Sequence, residues 1–224
     1  EFHDALVPFA ERRNIDMSFQ VMLKQLTMGF GSTLMIFCLT LLFSLPLGLV
    51  VYFGRVCKFK PLSLLVKCYI SIMRGTPLML QLLLWYFGPF YLWGMNIGGY
   101  KFTAIILGCS LNYAAYFAEI YRSGIESIPA GQYEAAQLLG YNRIQTFMKI
   151  VLPQMVKIVL PSVTNEVITL VKDTSLVYSV SYIEMFARAK QIAAAETTVM
   201  PFIIAGVFYY IFNFVVAWIM EWFE

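Results

Sequence analysis

Uncharged apolar runs alternate with short polar segments along most of this chain. Three runs, at 26–54, 75–100 and 197–220, contain no charged residue. About 20 apolar residues in a helix cross the hydrocarbon core of a bilayer, so each run is long enough to span one. The pattern therefore predicts integral membrane helices rather than the core of a water-soluble domain.

The residues between the runs predict five spans. They are expected at about 26–54, 62–92, 102–121, 150–171 and 199–222. Pro46 and Gly48 interrupt the first span, and Gly75-Thr-Pro77 is expected to bend the second, because proline removes a helical hydrogen bond. The expected fold is an all-α membrane protein with one transmembrane domain over 26–222. An extracellular or interfacial lead-in is expected over 1–25.

The composition changes this picture little and excludes several kinds of function. The chain is 60% hydrophobic and 13% charged, whereas soluble domains are about half apolar and a quarter charged. A net charge of +3 is too small to indicate a nucleic-acid partner. His3 is the only histidine and the cysteines form no C-x-x-C pair, so neither a metal site nor a catalytic residue is predicted.

The distribution of basic residues predicts the orientation. The segments 55–60 and 122–149 each carry several lysines or arginines, whereas 93–101 carries only Lys101. Because cytoplasmic loops are enriched in basic residues, the N-terminus is expected outside the cell and the C-terminus in the cytoplasm. The basic residues within 172–198 argue weakly against this orientation.

The most informative polar segment is 134–153, which reads E-A-A-Q-L-L-G-Y-N-R-I-Q-T-F-M-K-I-V-L-P. Alanine and leucine favour a short helix, and Gly140 permits the left-handed conformation that commonly ends one. A second short helix is expected before the next span. From the pattern alone, a rigid helical projection and an ordinary amphipathic loop are equally good interpretations.

This segment resembles the EAA loop of binding-protein-dependent ABC importer permeases, whose pattern is E-A-A, three residues, G, nine residues and I-x-L-P. Other motifs resemble the polar amino acid subfamily: R-G-T-P at 74–77, the stretch 114–128, G-Q at 131–132 and K-D-T-S-L at 172–176. The resemblance covers residues 26–222. It implies a type I, MetI-like permease with five transmembrane helices and a cytoplasmic coupling helix in a loop at about 122–149.

The resemblance also implies partners in a bacterial cytoplasmic membrane. These are two ATP-binding cassette ATPase subunits, a second permease subunit that is identical or homologous, an extracellular solute-binding protein and an amino acid substrate. The residues implied in ATPase coupling are Glu134, Ala135, Ala136, Leu139 and Gly140. The chain has no G-x-x-x-x-G-K-[ST] loop, so ATP and Mg²⁺ are expected on the ATPases and no cofactor on this chain.

Glu166 is the most informative charge within a predicted span. A charged side chain at the bilayer centre costs on the order of 2.5–3.5 kcal/mol on insertion scales, so its presence needs a reason. It is predicted to be the counter-charge for a substrate amino group or a cationic side chain. The alternative is a structural ion pair with Lys172, Lys157 or Arg74.

Other polar residues near the predicted spans extend this candidate site. Arg74 is predicted to bind a substrate carboxylate or to pair with Asp173 or Glu166. The segment 173–175 is predicted to cap a helix start, and such a start can also receive a carboxylate. The predicted substrate-binding residues are Glu166, Arg74, Asn165, Asp173 and Ser175.

Together these features predict a permease subunit that translocates polar amino acids by alternating access, with cationic or zwitterionic substrates favoured by Glu166. The alternative is a stand-alone ion-coupled carrier that uses Glu166 and Asp173 as ion sites, although the sequence shows no inverted repeat. A membrane enzyme is disfavoured by the lack of a metal cluster or nucleophile motif. The substrate and the identity of the second subunit are left open.

Overall fold

The computed structural model describes residues 19–223, and all regular structure within that range is helical. In chain order the helices are α1 (Phe19–Val56), α2 (Lys60–Gly75), α3 (Leu78–Trp93), α4 (Lys101–Glu126), α5 (Ala130–Leu138), α6 (Arg143–Thr146), α7 (Leu152–Asp173), α8 (Met185–Glu196) and α9 (Met200–Phe223). A π-helical segment (Phe147–Val151) leads into α7, and a 3-10 helix (Thr174–Val180) follows it. Residues 1–18 of the predicted lead-in lie outside the described residues, and 19–25 belong to α1.

Four helical segments of the described chain are long and apolar enough to cross a membrane. They are Phe19–Val56, Lys101–Glu126, Arg143–Val180 and Met200–Trp222, and α3 is a shorter apolar helix. The second predicted span is thus divided between α2 and α3. The prediction of an all-α membrane protein is confirmed, with these five segments at the predicted places.

The first predicted span is one continuous helix, because α1 continues through Pro46 and Gly48. A proline removes one amide hydrogen bond, and long apolar helices tolerate this where neighbouring helices support them. Gly48 serves packing instead: a Cβ built on it would lie 2.7 Å from the Cβ of Phe117. This close approach allows α1 to pack extensively along α4.

The bend predicted at residues 75–77 is confirmed. Helix α2 ends at Gly75, and Thr76 has extended backbone angles of φ −123° and ψ 147°. The pyrrolidine ring of Pro77 excludes the preceding residue from the helical region, which explains why the break falls there. Helix α3 begins immediately afterwards at Leu78.

The remaining helices enclose a buried centre formed by α1, α4, α7 and the 3-10 helix. Phe117, Leu170 and Val177 are fully buried there. Helix α8 packs on α1 and α9, and its N-terminus lies close to Gly29 of α1, where a Cβ would be 2.8 Å from the Cα of Met185. Many large apolar side chains on the outer surfaces stay exposed, as expected for helices that face lipid.

Candidate functional site

A cavity of about 330 Å³ lies where the break before α3 meets α4 and the C-terminal half of α7. The lining residues come from these elements and from the 3-10 helix: Thr76, Pro77, Leu78, Asn112, Tyr113, Tyr116, Glu166, Thr169, Asp173 and Leu176. Helix α7 contributes two carboxylates seven residues apart, which places them two turns apart on one helix face. The cavity is therefore acidic, since no lysine or arginine of the described residues lines it.

Asp173 is held in place by one hydrogen bond. The Tyr113 hydroxyl donates to Asp173 Oδ2 over 2.8 Å. The segment 173–175 was predicted to cap a helix start. Asp173 does lie at such a start, since it ends α7 and is the N-cap residue of the 3-10 helix, but its side chain makes no capping hydrogen bond, so the predicted cap is wrong.

An amide network fixes the broken helix at the cavity wall. The side chain of Gln81 donates to the Thr76 hydroxyl (2.8 Å) and to the carbonyls of Thr76 (3.1 Å) and Met73 (3.0 Å). The Asn112 side chain donates to Gln81 Oε1 and to the Met73 carbonyl, both over 3.0 Å. Sequence reasoning missed this pair, for which the available signal was two amide side chains in otherwise apolar helices.

The structure brings only part of the predicted substrate-binding set together. Glu166 and Asp173 line the cavity, whereas Asn165 lies on an exposed part of α7. The Ser175 hydroxyl donates to the Lys172 carbonyl over 2.7 Å and does not line the cavity. Arg74 also lies outside the lining residues.

Arg74 pairs with a residue that the sequence did not suggest. Its Nη1 atom lies 4.0 Å from Glu119 Oε2, and its guanidinium carbon lies 5.4 Å from the centre of the Tyr116 ring. It makes no ion pair with Glu166 or Asp173 in the described part of the chain. Glu119 is the centre of a larger cluster, because it also pairs with Arg55 and, over 2.9 Å, with Arg122.

The loop between α4 and α7 forms a helical projection with an apolar tip. Helix α5 ends at Leu138, and Gly140 follows with φ +77°, as the sequence predicts. Leu138 and Leu139 are 90% and 72% exposed. Of the residues implied in coupling, Ala136 is buried against the rest of the chain, whereas Glu134, Ala135, Leu139 and Gly140 are exposed.

The second short helix of this projection is fixed by its own cap. The Asn142 side chain accepts from the backbone amide of Gln145, and the Gln145 side chain accepts from that of Asn142, both over 2.9 Å. This reciprocal pair satisfies two amides that would otherwise lack partners at the helix start. The projection is therefore a preformed surface.

Among the described residues, no group of three or more His, Cys, Asp or Glu side chains is arranged to hold a metal ion.

Comparison with known proteins gives a family match over most of the chain. A family model described as the binding-protein-dependent transport system inner membrane component matches residues 44–224. The arginine transport system permease protein ArtQ of Bacillus subtilis (strain 168) is 38% identical over 192 residues, which are 85% of this chain and 87% of ArtQ. The L-cystine transport system permease protein TcyB of the same organism is 33% identical over 192 residues, 84% of this chain and 80% of TcyB.

A solved structure agrees with these relatives. A chain from the crystal structure of an amino acid ABC transporter with histidines matches with a TM-score of 0.83 at 31% identity. The match covers 93% of the present chain and 98% of the solved one. The similarity therefore extends over nearly the whole helical arrangement.

Proposed function

This chain belongs to the family of binding-protein-dependent transport system inner membrane components, as a permease subunit of an amino acid ABC transporter, and on that premise we propose that its acidic cavity binds the transported amino acid. The observation that carries the proposal is the presence of both Glu166 and Asp173 in a cavity that no basic side chain lines within residues 19–223. The alternative of a stand-alone ion-coupled carrier has no support from these similarities.

The cavity favours a substrate with a positive group. Its volume of about 330 Å³ lies at the lower end of the range of about 300–1,000 Å³ that is usual for small-molecule sites. Two carboxylates can receive an α-amino group together with a cationic side chain, or an α-amino group alone. We therefore propose a cationic or zwitterionic amino acid, with Glu166 as its counter-charge. Asn165 and Ser175 remain predicted contributors that would reach the substrate after a rearrangement of the helices, whereas Arg74 pairs with Glu119 outside the cavity.

The exposed projection supports the proposed coupling to ATPases. Leu138 and Leu139 expose apolar surface on a rigid helix end, which is suited to a groove on a protein partner. We propose that two ATPase subunits bind the α5 projections of two permease subunits, which are identical or homologous. ATP and Mg²⁺ would bind to those ATPases, and an extracellular solute-binding protein would deliver the substrate. The proposed orientation in the bacterial cytoplasmic membrane has the N-terminus outside and the C-terminus in the cytoplasm.

The substrate proposal is tested by Glu166→Gln in the complex with its ATPase and binding protein in proteoliposomes. Substrate-stimulated ATPase activity and uptake are measured with a panel of amino acids. We expect uptake of the cationic substrate to fall about tenfold or more, because the counter-charge is lost while the side-chain volume is kept. Glu221→Gln, at an exposed site on α9, is the matched control. Unchanged uptake and specificity in Glu166→Gln would remove Glu166 from the binding site.

The coupling proposal is tested by Glu134→Lys, which reverses a charge on the exposed surface of α5. We expect loss of ATPase association, or ATP hydrolysis that no longer responds to substrate, while the permease keeps its melting temperature. Glu221→Lys introduces the same change of charge on another helix and serves as the control. Wild-type coupling in Glu134→Lys would argue against α5 as the docking helix.

A further inference from the structure

Arg74 lies beside the acidic cavity but not in it. Thr76 and Pro77, two and three residues further along the chain, line the cavity, so the backbone of Arg74 is at its edge. The Arg74 guanidinium instead stacks on Tyr116, a lining residue, and its Nη1 atom lies 4.0 Å from Glu119. Tyr116 and Glu166 line the same cavity, so the guanidinium lies against one wall of the cavity that contains Glu166.

Arg74 therefore has two candidate carboxylate partners. Glu119, with which it pairs, does not line the cavity, whereas Glu166 does. Because Arg74 is a long and partly exposed side chain, rotation about its own bonds can exchange one partner for the other. The position of Arg74 thus determines whether the cavity has two uncompensated carboxylates or only one.

We propose that Glu119 is a positioning residue that sets the charge selectivity of the cavity by holding Arg74 outside it. This inference rests on the proposed function, since it concerns the site at which the amino acid binds. With Arg74 held by Glu119, both cavity carboxylates are available to a cationic substrate. With Arg74 turned into the cavity, Glu166 is neutralised and the preference for a cation is lost.

The surroundings of Glu119 explain why it determines the position of Arg74. The Glu119 side chain is only 14% exposed and also pairs with Arg55 and Arg122, so three guanidiniums converge on one carboxylate. Without that negative charge the three guanidiniums would repel one another. Arg122 has a second carboxylate partner in Glu126, but Arg74 has none in the cluster. We then expect Arg74 to turn toward the cavity, where Glu166 is a lining carboxylate.

The test compares binding of arginine and citrulline to the transporter complex in nanodiscs. Citrulline replaces the guanidinium of arginine by a neutral ureido group of nearly the same shape. Radiolabelled ligands in equilibrium dialysis give the ratio of the two dissociation constants, which reports charge selectivity independently of uptake rate. We expect the wild type to prefer arginine and Glu119→Gln to reduce that preference on the order of tenfold.

The decisive variant is the double substitution Glu119→Gln with Arg74→Met. If release of Arg74 causes the loss of selectivity, removal of its charge restores the arginine preference, whereas a merely structural role of Glu119 predicts no rescue. Glu126→Gln is the matched control, because it removes the other carboxylate of the cluster, which pairs with Arg122 and, among the described residues, not with Arg74, and should leave the preference unchanged.

Each remaining outcome also decides the question. Equal weakening of both ligands in Glu119→Gln, failure of the rescue, or the same shift in Glu126→Gln would overturn the proposal. If Glu119→Gln does not assemble, Glu119→Asp is used instead, because it keeps the charge but shortens the side chain. Arg74 is the most distant of the three partners and should be released first. The arginine preference should then fall, but by less than is expected for Glu119→Gln. A wild type that binds neither ligand would overturn the proposed substrate class itself, a result that differs from lost selectivity in the variants.

Discussion

Glu119 and Glu184 are both withdrawn from solvent, and the chain stabilises the two carboxylates in opposite ways. Glu119 is 14% exposed and is surrounded by three guanidiniums from α1, α2 and α4. Glu184 is fully buried and makes no ion pair within the described residues. It instead accepts hydrogen bonds from two backbone amides at the start of α8 and from the hydroxyls of Thr33 and Tyr209.

The difference lies in how strongly the partners are fixed. Arginine side chains have many rotatable bonds, and those around Glu119 are 21–44% exposed, so they can exchange partners. The amides that bind Glu184 belong to Phe186 and Ala187, at 2.7 and 2.6 Å, and cannot move without α8. The helix dipole of α8 adds to the stabilisation of the negative charge. We infer that the Glu119 cluster can rearrange, whereas the Glu184 site fixes α8 against α1 and α9.

The largest effect on stability is expected from Glu184→Gln. An amide has one accepting oxygen, so some of the four donors around it would lose their partner inside the protein, where an unsatisfied donor is costly. We expect the free energy of unfolding to fall by about 3 kcal/mol. Thermal or denaturant unfolding in detergent measures this change, with Glu221→Gln as the exposed control. A variant as stable as the wild type would show that the Glu184 site is not a fixed joint.

A smaller loss is expected from Gly29→Ala, which tests the packing that keeps the Glu184 donors in position. The new methyl group would lie 2.8 Å from the Cα of Met185, a backbone atom that cannot rotate away, so α8 must shift from α1. We expect destabilisation of about 2 kcal/mol by the same unfolding measurement.

Gly31→Ala is the control for the Gly29 prediction. Gly31 lies on the same helix, and a Cβ built on it meets nothing within 4 Å. It should be neutral or stabilising by up to about 1 kcal/mol, since alanine loses less backbone entropy than glycine. Equal effects of the two substitutions would mean that helix propensity, not the contact with α8, determines the result.

The sequence predicted most of the fold because long apolar runs and helix-ending residues act locally. The bend at Thr76–Pro77 and the left-handed Gly140 both follow from the steric properties of one or two residues. Pro46 is less predictable, because whether a proline breaks a helix depends on neighbouring helices that the local sequence does not specify. The projection at 134–153 was recognised only through its resemblance to a family pattern.

The candidate site was only partly predictable. Glu166 and Asp173 could be found because charges in an apolar helix are conspicuous and their spacing of seven residues gives a common face. The partners Tyr113 and Gln81 come from other helices, so their contacts depend on packing between helices. Arg74 was predicted to bind a substrate carboxylate or to pair with Asp173 or Glu166, and sequence spacing could not indicate that Glu119 lies near it on α4.

The smallest effect is expected from Tyr209→Phe, which removes a single donor from Glu184 and keeps the aromatic ring in the core. The Tyr209 hydroxyl donates to Glu184 Oε2 over 3.0 Å, while the other donors to the carboxylate remain. We expect the free energy of unfolding to fall by about 1 kcal/mol. Tyr210→Phe, at a side chain that is 73% exposed, removes the same hydroxyl outside the core and should have no measurable effect. If Tyr209→Phe in the Glu184→Gln background costs as much as it does in the wild type, the two groups are not coupled and the fixed joint does not extend to α9.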